Sequence, residues 1–442
     1  MVHLPEQGIL TSPFVGAEPR STRRRMFSAM GLGAAASVMS IPHASAATVS
    51  PASQNVLLSG ADPTGIADSS PAFRSAYSAL PPTGGSIIVP AGKYLLLSPL
   101  SFGGKPLSIR GEGSAWTLLL MGHTGAAVTY NGMDQSYPST NAFSVIGVSV
   151  CGPTNGSSAI VAFAVYYPAS ANQNETGYQY VFIDDVQIGA ANINFTNGCN
   201  ILYGFIFRNI WKSVIRNTRM FSPGNRSIAF IVLQGTFNVD VSIVNCHSDS
   251  PFYGVAVQCE SQGISLIDST FISQTGFSSN FTGASVLGLY IAGCEFNTFT
   301  LAADVFNVTQ SYISDTHFSC QGTASSSVVA MTSSLGVRMS NIIFAGSVGA
   351  NGSGGNTSIF GVILKSCNLC QINGALFINL GNGLLFSTGC QANSAVGLQL
   401  VNQNLYPSLQ PGPAAIDSSG RMGIGANNAQ WQTATGIYVT LK

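Results

Sequence analysis

From about Ile146 onward the apolar residues come in short runs, separated by Ser, Asn, Gly and Thr, and no amphipathic segment of period 3.6 appears. Such a pattern predicts short strands at close spacing rather than helices. Many runs share a form: one small residue, then three mostly apolar ones. Gly204-Phe205-Ile206-Phe207, Ser227-Ile228-Ala229-Phe230, Gly254-Val255-Ala256-Val257 and Gly288-Leu289-Tyr290-Ile291 belong to this set. Ser327-Val328-Val329-Ala330, Gly361-Val362-Ile363-Leu364 and Gly383-Leu384-Leu385-Phe386 continue it. A second ladder sets Asp, Asn or Gly three residues before Phe: Asp268 and Phe271, Gly293 and Phe296, Asp315 and Phe318, Asn341 and Phe344. Its steps are 25, 22 and 26 residues. Two ladders in step imply one structural unit repeated every 20–30 residues or so.

Leucine-rich repeats would need a regular Leu frame, which is missing, and propeller blades would be longer. A β-sandwich also uses short strands, but at this length it would need two or more domains, and no linker divides the chain. A parallel β-helix fits best: each coil stacks on the next, and inward side chains form columns. The turns of such a coil explain the abundance of Gly, Asn and Ser. The predicted fold class is therefore all-β, a single-stranded parallel β-helix.

The stretch from Gly60 to Leu96 differs from the rest of the chain. Asp68-Ser69-Ser70-Pro71 offers a helix N-cap with Pro in the first turn. The next residues set Phe73, Ala76, Tyr77 and Leu80 on one helical face, Gly84-Gly85 turns the chain, and Ser86-Ile87-Ile88-Val89 reads as a strand. An open coil exposes strand edges, so a helical cap at its start is expected.

Composition narrows the function classes. The 442 residues are 45% hydrophobic and only 8% charged, with zero formal net charge. Disorder is excluded, and no long-range attraction to nucleic acid is expected. Near the N-terminus, Thr22-Arg23-Arg24-Arg25-Met26-Phe27 precedes a mildly apolar run and Ala44-Ser45-Ala46, a small-x-small cleavage site. The paired arginines resemble a bacterial twin-arginine export signal; a plain secretory signal or a disordered basic N-terminus is the alternative. The predicted organisation is a signal over 1–46, a cap and first coil over 47–100, a β-helix over 101–405 and a C-terminal cap or tail over 406–442. The mature chain is expected outside the cytoplasm, with no membrane insertion. The nine cysteines are scattered. Cys367-Asn-Leu-Cys370 has metal-knuckle spacing but no second pair, so no metal site is predicted there, and buried small hydrophobes fit better.

The opening stretch resembles that of the pectate-lyase superfamily, in its rhamnogalacturonase- and epimerase-like branch. Gly60-Ala61, Asp62, Thr64-Gly65, Asp68, Pro71-Ala72-Phe73, Ala76, Gly84-Gly85, Val89-Pro90, Gly92 and Tyr94 carry the resemblance; the second Asp of the family pattern is Ser69 here. It implies a right-handed coil and a polysaccharide partner. The superfamily holds lyases, hydrolases, phage depolymerases and proteins without known activity, so the fold alone does not fix the chemistry. The polygalacturonase-like motifs Gly-His-Gly and Arg-Ile-Lys are absent, and of an Asp-Asp pair only Asp249 remains, in Ser248-Asp249-Ser250.

Charge is most uneven between residues 208 and 268. Arg208, Lys212, Arg216, Arg219 and Arg226 fall within 19 residues, followed by Asp240, His247, Asp249 and Asp268. Arginine grips carboxylates bidentately, so an acidic sugar chain suits this patch. Arg216, His247, Asp240, Asp249 and Asp268 are the catalytic candidates; Arg208, Lys212, Arg219, Arg226 and Tyr253 are the substrate-binding candidates. A lyase of the resembled family would use Arg or Lys as base and Ca²⁺ on the uronate carboxylate, with Asp240, Asp249 and Asp268 as oxygen donors. The bland reading is a solvated face with ion pairs across coils. Asp184-Asp185, the sole adjacent carboxylate pair, points to opposite faces of a strand unless a turn intervenes. The two functional expectations are a lyase or hydrolase of an acidic, pectin-like polysaccharide, or a non-catalytic glycan-binding rod.

Overall fold

The computed structural model describes residues 52–132, 142–152, 159–169, 179–189, 201–221, 227–249, 251–322, 327–346, 359–380, 382–387, 389–401 and 415–417. The predicted export signal, Arg226 and most of the C-terminal tail lie outside them. The described chain is a parallel β-helix, as expected: every strand pairing is parallel, and most strands bond to one a coil earlier and one a coil later.

The pairings resolve into three faces. The first includes Gly85–Val89, Leu107–Gly111, Trp211–Arg216, Phe237–Val244, Glu260–Ile267 and Ser285–Ala292. The second includes Gly92–Leu96, Thr117–Met121, Arg219–Phe221, His247–Asp249 and His317–Cys320. The third includes Ala126–Asn131, Ile201–Arg208, Ala229–Gln234, Tyr253–Val257, Ser327–Thr332 and Phe360–Lys365. Some strands turn a corner: Thr270–Ser278 and Glu295–Phe306 serve the second face and then the third. Ala415–Asp417 pairs with 384–386, so the third face gains a rung beyond residue 405.

The inner columns explain the sequence ladders. Phe271, Phe296, Phe318, Phe344 and Phe377 stack with ring centroids 5.2, 4.9, 5.7 and 5.2 Å apart, close to the strand spacing of roughly 4.8 Å. All five are buried. Beside them the small residues are needed for space. A Cβ at Gly254 would stand 2.9 Å from Phe271, at Gly276 2.3 Å from Phe296, and at Gly361 2.3 Å from Phe377. The small-residue ladder thus belongs to the third face. Gly288, which the sequence pattern put in it, lies instead on the first face with φ +76°, and Gly276 is the third-face residue of that stretch. Its run looked alike because Leu289 and Ile291 after it are buried strand residues, as Phe277 is after Gly276.

The residues three before each Phe form a turn column. Asp185, Asn217, Asn245, Asp268, Asp315 and Asn341 all have φ between 47° and 54°, the left-handed region that Asn and Asp tolerate. Asn245 donates to Asn217 at 2.7 Å and Asn341 to Asp315 at 2.6 Å. Next to this column, thiols and hydroxyls share one task. Thr218, Cys246, Ser269, Cys294 and Thr316 each bond the carbonyl two residues back. Burial pushes the Cys246 thiol up to about 12 and the Cys294 thiol to about 11, so both are inert protonated fillers. Cys151 is disulfide-bonded.

The helix predicted at the start is Ser70–Ala79, with Pro71 in its first turn. Ser69 makes no side-chain cap; Asp68 does that work, accepting from the Ser70 amide and hydroxyl and from the Leu97 amide. Phe73 is buried edge-on to Tyr94, with centroids 5.9 Å apart, and Tyr77 packs on Phe102. Asp62 accepts from the amides of Thr64, Ile66 and Ala67 and the Thr64 hydroxyl. These donors hold its carboxyl at about 2.

Candidate functional site

Outward positions of the second face line up by register. One column reads Arg219, His247, Thr270, Glu295, His317. The next outward column, two residues on, reads Phe221, Asp249, Ile272, Asn297, Ser319. Successive members are one coil apart, roughly 4.8 Å. Between the columns Met220, Ser248, Phe271, Phe296 and Phe318 point inward and are buried. The alternation of a strand therefore presents one polar track and one mixed track, over Met220 and Ser248 at first and over the phenylalanine stack from Phe271 onward.

His247 reports that these groups share a field. Burial lowers its pKa below the usual imidazole value, Arg219 acts in the same direction, and the carboxylates of Asp249 and Glu295 oppose them. At neutral pH the ring is therefore uncharged and can accept a proton. The Phe221 ring lies 6.0 Å from it. Farther along, Gln321 donates to Asn297 at 2.6 Å and Thr300 to Gln274 at 2.9 Å, so the polar strip continues toward the third face.

The corner between the second and third faces is tight at these coils. Residues 250–252 alone separate His247–Asp249 from Tyr253–Val257, and the next two coils pass the corner within a single strand. By contrast, residues 189–200 connect the two faces two coils earlier, and 347–359 do so further on. On the third-face side of the tight corner stand Phe252, Tyr253 and Phe281, with ring centroids 4.7 and 5.6 Å apart in sequence.

The predicted site residues separate into two groups. Arg219, His247 and Asp249 lie together on the second-face side of this corner, and Tyr253 stands on its third-face side against Phe252 and Phe281. The others lie elsewhere. Asp268 is a member of the turn column, and its carboxylate lies where a Cβ on Gly293 would be. Asp240 has φ 52° and stands over Gly263 in a different kink column of the first face, alongside Lys212 at φ 49°. Arg216 pairs with Asp184 at 2.7 Å and sits 5.0 Å over the Phe182 ring, while Asn217 donates to the same carboxylate at 2.8 Å. Arg208 lies 5.1 Å over Tyr166 on the third face. Asp184 and Asp185 are parted by a turn at Asp185, whose carboxylate accepts from the Ser114 amide and hydroxyl. Asp240, Asp249 and Asp268 stand in three different columns, and among the described residues no group of three or more His, Cys, Asp or Glu side chains is arranged for a metal ion. The donor set for Ca²⁺ does not fit.

Glu295 went unnoticed in the sequence and His317 was set aside for its distance from the 208–268 stretch, although the signal was present: each directly precedes a ladder phenylalanine, as Thr270 precedes Phe271. Asp304, on the third face, was missed too.

No family model matches the chain, and no curated protein matches it. Solved structures do. A mannuronan C-5 epimerase A-module of Azotobacter vinelandii is 16% identical, with TM-score 0.58 over 83% of this chain and 98% of that one. A second epimerase A-module of the same organism is 15% identical, with TM-score 0.55 over 83% and 100%. A surface adhesin of Streptococcus pneumoniae is 12% identical, with TM-score 0.55 over 79% and 90%. At such identities the likeness establishes the fold: the chain is a parallel β-helix like those of these proteins.

Proposed function

We propose that this chain is an exported β-helix protein of the pectate-lyase-like superfamily that engages an acidic polysaccharide along the corner of the second face. The observation that carries the reading is the register of Arg219, His247 and Glu295 in one outward column, with His247 sensing Arg219, Asp249 and Glu295 at once. In this reading residues 1–46 are the export signal, 47–100 the cap and first coil, 101–405 the coil and 406–442 a terminal cap. The disulfide at Cys151 supports an oxidising compartment. The structural neighbours named for mannuronan epimerisation support a polysaccharide partner.

Lyase-type chemistry suits the strip better than hydrolysis. The strip sets a neutral imidazole, His247, in register with a guanidinium, Arg219, the pair that proton abstraction beside a carboxylate needs, whereas Asp249 and Glu295 stand two coils apart in neighbouring columns. Neutral His247 takes the proton from the carbon beside a uronate carboxylate. Arg219 neutralises that carboxylate as negative charge develops on it. The electron pair left on carbon then forms the ring double bond, the glycosidic C–O bond breaks, and the proton held by His247 passes to the departing oxygen.

The test is to incubate the mature protein with polymannuronate, polyguluronate and polygalacturonate. Absorbance near 235 nm reports elimination, and new reducing ends without it report hydrolysis. The missing family motifs favour a second reading, a non-catalytic glycan binder; retention of a polyuronate with neither product would select it. If no acidic polymer is bound or altered, the proposal fails.

A further inference from the structure

Outward positions of the third face form their own apolar cluster, made by Val161, Ala164, Ile206, Ala229, Val232 and Ala256. It ends abruptly. In the column of Ala256 the next two residues are Ser278 and Asp304. Asp304 is half-buried at the edge of this apolar ground, and Asn280 donates to its Oδ2 at 3.0 Å. Tyr253 and Phe281 pack against the same cluster; burial raises the Tyr253 phenol, and the nearby Asp304 carboxylate adds to the rise. The connection carrying Asn280 and Phe281 is tied down beside it, since Ser279 donates to the Phe306 carbonyl at 3.0 Å and accepts from the Phe306 amide at 2.9 Å. Phe252, nearly half exposed at 49%, continues the aromatic ridge toward Asp249.

An aromatic ridge with a carboxylate and an amide at its foot has the elements of a saccharide subsite: an apolar wall for one ring face and fixed partners for ring hydroxyls. We infer that Tyr253, Phe281, Asn280 and Asp304 form a second saccharide subsite on the third face, which holds a sugar residue of the same chain that the corner strip engages. The inference rests on the corner reading and extends it. A carboxylate is an acceptor for two hydroxyls, and Asn280 adds a donor. Burial raises the Asp304 carboxyl above the ordinary aspartate value, with the Asn280 bond opposing it; as the pH falls toward that value the group turns from acceptor to donor.

The experiment compares binding of oligouronates of two to six residues to the full mature chain and to three variants, by calorimetry. Wild type is expected to gain affinity with each added residue. Asp304→Asn and Phe281→Ala are each expected to weaken the longer oligomers by about tenfold and to leave the disaccharide unchanged. Arg219→Ala is expected to weaken all lengths. Melting temperatures of Asp304→Asn close to wild type keep the comparison free of misfolding. Equal affinities of both third-face variants and wild type at every length overturn the subsite and leave the corner standing. Uniform loss at all lengths in the third-face variants, with Arg219→Ala unaffected, overturns the corner instead.

Discussion

Two stretches of the second face share a backbone and differ in what they carry outward. From Arg219 to His317 one outward column holds Arg, His, Thr, Glu and His; on the next two coils the same column holds Ile343 and Leu376. Inward, Met220 and Ser248 give way to a phenylalanine stack that runs without a break from Phe271, in the first stretch, to Phe377, in the second. In the neighbouring outward column Asp249, Asn297 and Ser319 are interspersed with Phe221 and Ile272, and Ala345 and Ile378 follow. The coil is therefore a neutral frame, and chemistry is written on it two residues at a time.

The frame itself can be broken first. Phe318→Ala removes one ring from the middle of the stack and is expected to cost about 3–5 kcal/mol of stability, read as a lowered denaturant midpoint. Because coils are stabilised by their neighbours, both stretches should lose protection from proteolysis together. Loosening of one stretch only would show that the stack is not continuous.

A sharper cut leaves the frame alone. His247→Ala should lower turnover of a cleaved polyuronate by about 10²–10⁴-fold, whereas Ile343→Ala, in the same column, should leave turnover within about twofold of wild type. Equal effects at the two positions would erase the difference between the stretches.

The pH dependence gives a finer reading. The His247 pKa in the folded chain lies below its unfolded value of 6.5, so the unfolded chain binds the proton more readily. The stability this contributes is complete above 6.5 and is lost as the pH falls through the lowered folded value. Turnover, which needs the neutral ring, should hold below pH 6.5 and then fall. Asp249→Asn or Glu295→Gln removes a charge that raises this pKa and should move the acid limb lower still; Arg219→Ala should move it higher. An acid limb that ignores all three substitutions would uncouple the strip. Asp62 behaves in the same sense at lower pH: its stabilising contribution is complete above 3.8 and is lost as the pH falls toward about 2, seen as loosening of the turn over residues 62–67 before the coil.

The smallest expected effect concerns the kink column of the first face. Leu369 is exposed and has φ +53°, a conformation that Asn holds more readily than Leu. Leu369→Asn should raise stability by up to about 1 kcal/mol, measured as a shifted midpoint, with no change in glycan binding.

Much of the fold was legible in the sequence. The coil followed from the spacing of Phe271, Phe296, Phe318 and Phe344, because a stack of identical rings leaves its period in the chain. The helix followed from Pro71 and the face of Phe73 and Ala76. What the chain hid was register. Residues close in sequence, such as Asp240, Asp249 and Asp268, proved to sit in separate columns, since the connections between faces vary in length and carry each residue to a different side. Sequence proximity therefore overvalued Lys212 and Arg216. Residues far apart, such as Arg219 and Glu295, share a column. Asp304 could not be recognised because its character comes from the burial of its neighbours on the third face, which no local motif records.

The most direct test of the corner as the binding site is a crystal structure of the mature protein soaked with an oligouronate. The expected result is a sugar chain lying across Arg219, His247 and Glu295, its carboxylate on Arg219. A chain bound instead along the first face, at Lys212 and Asp240 or at the Arg216–Asp184 pair, would contradict it.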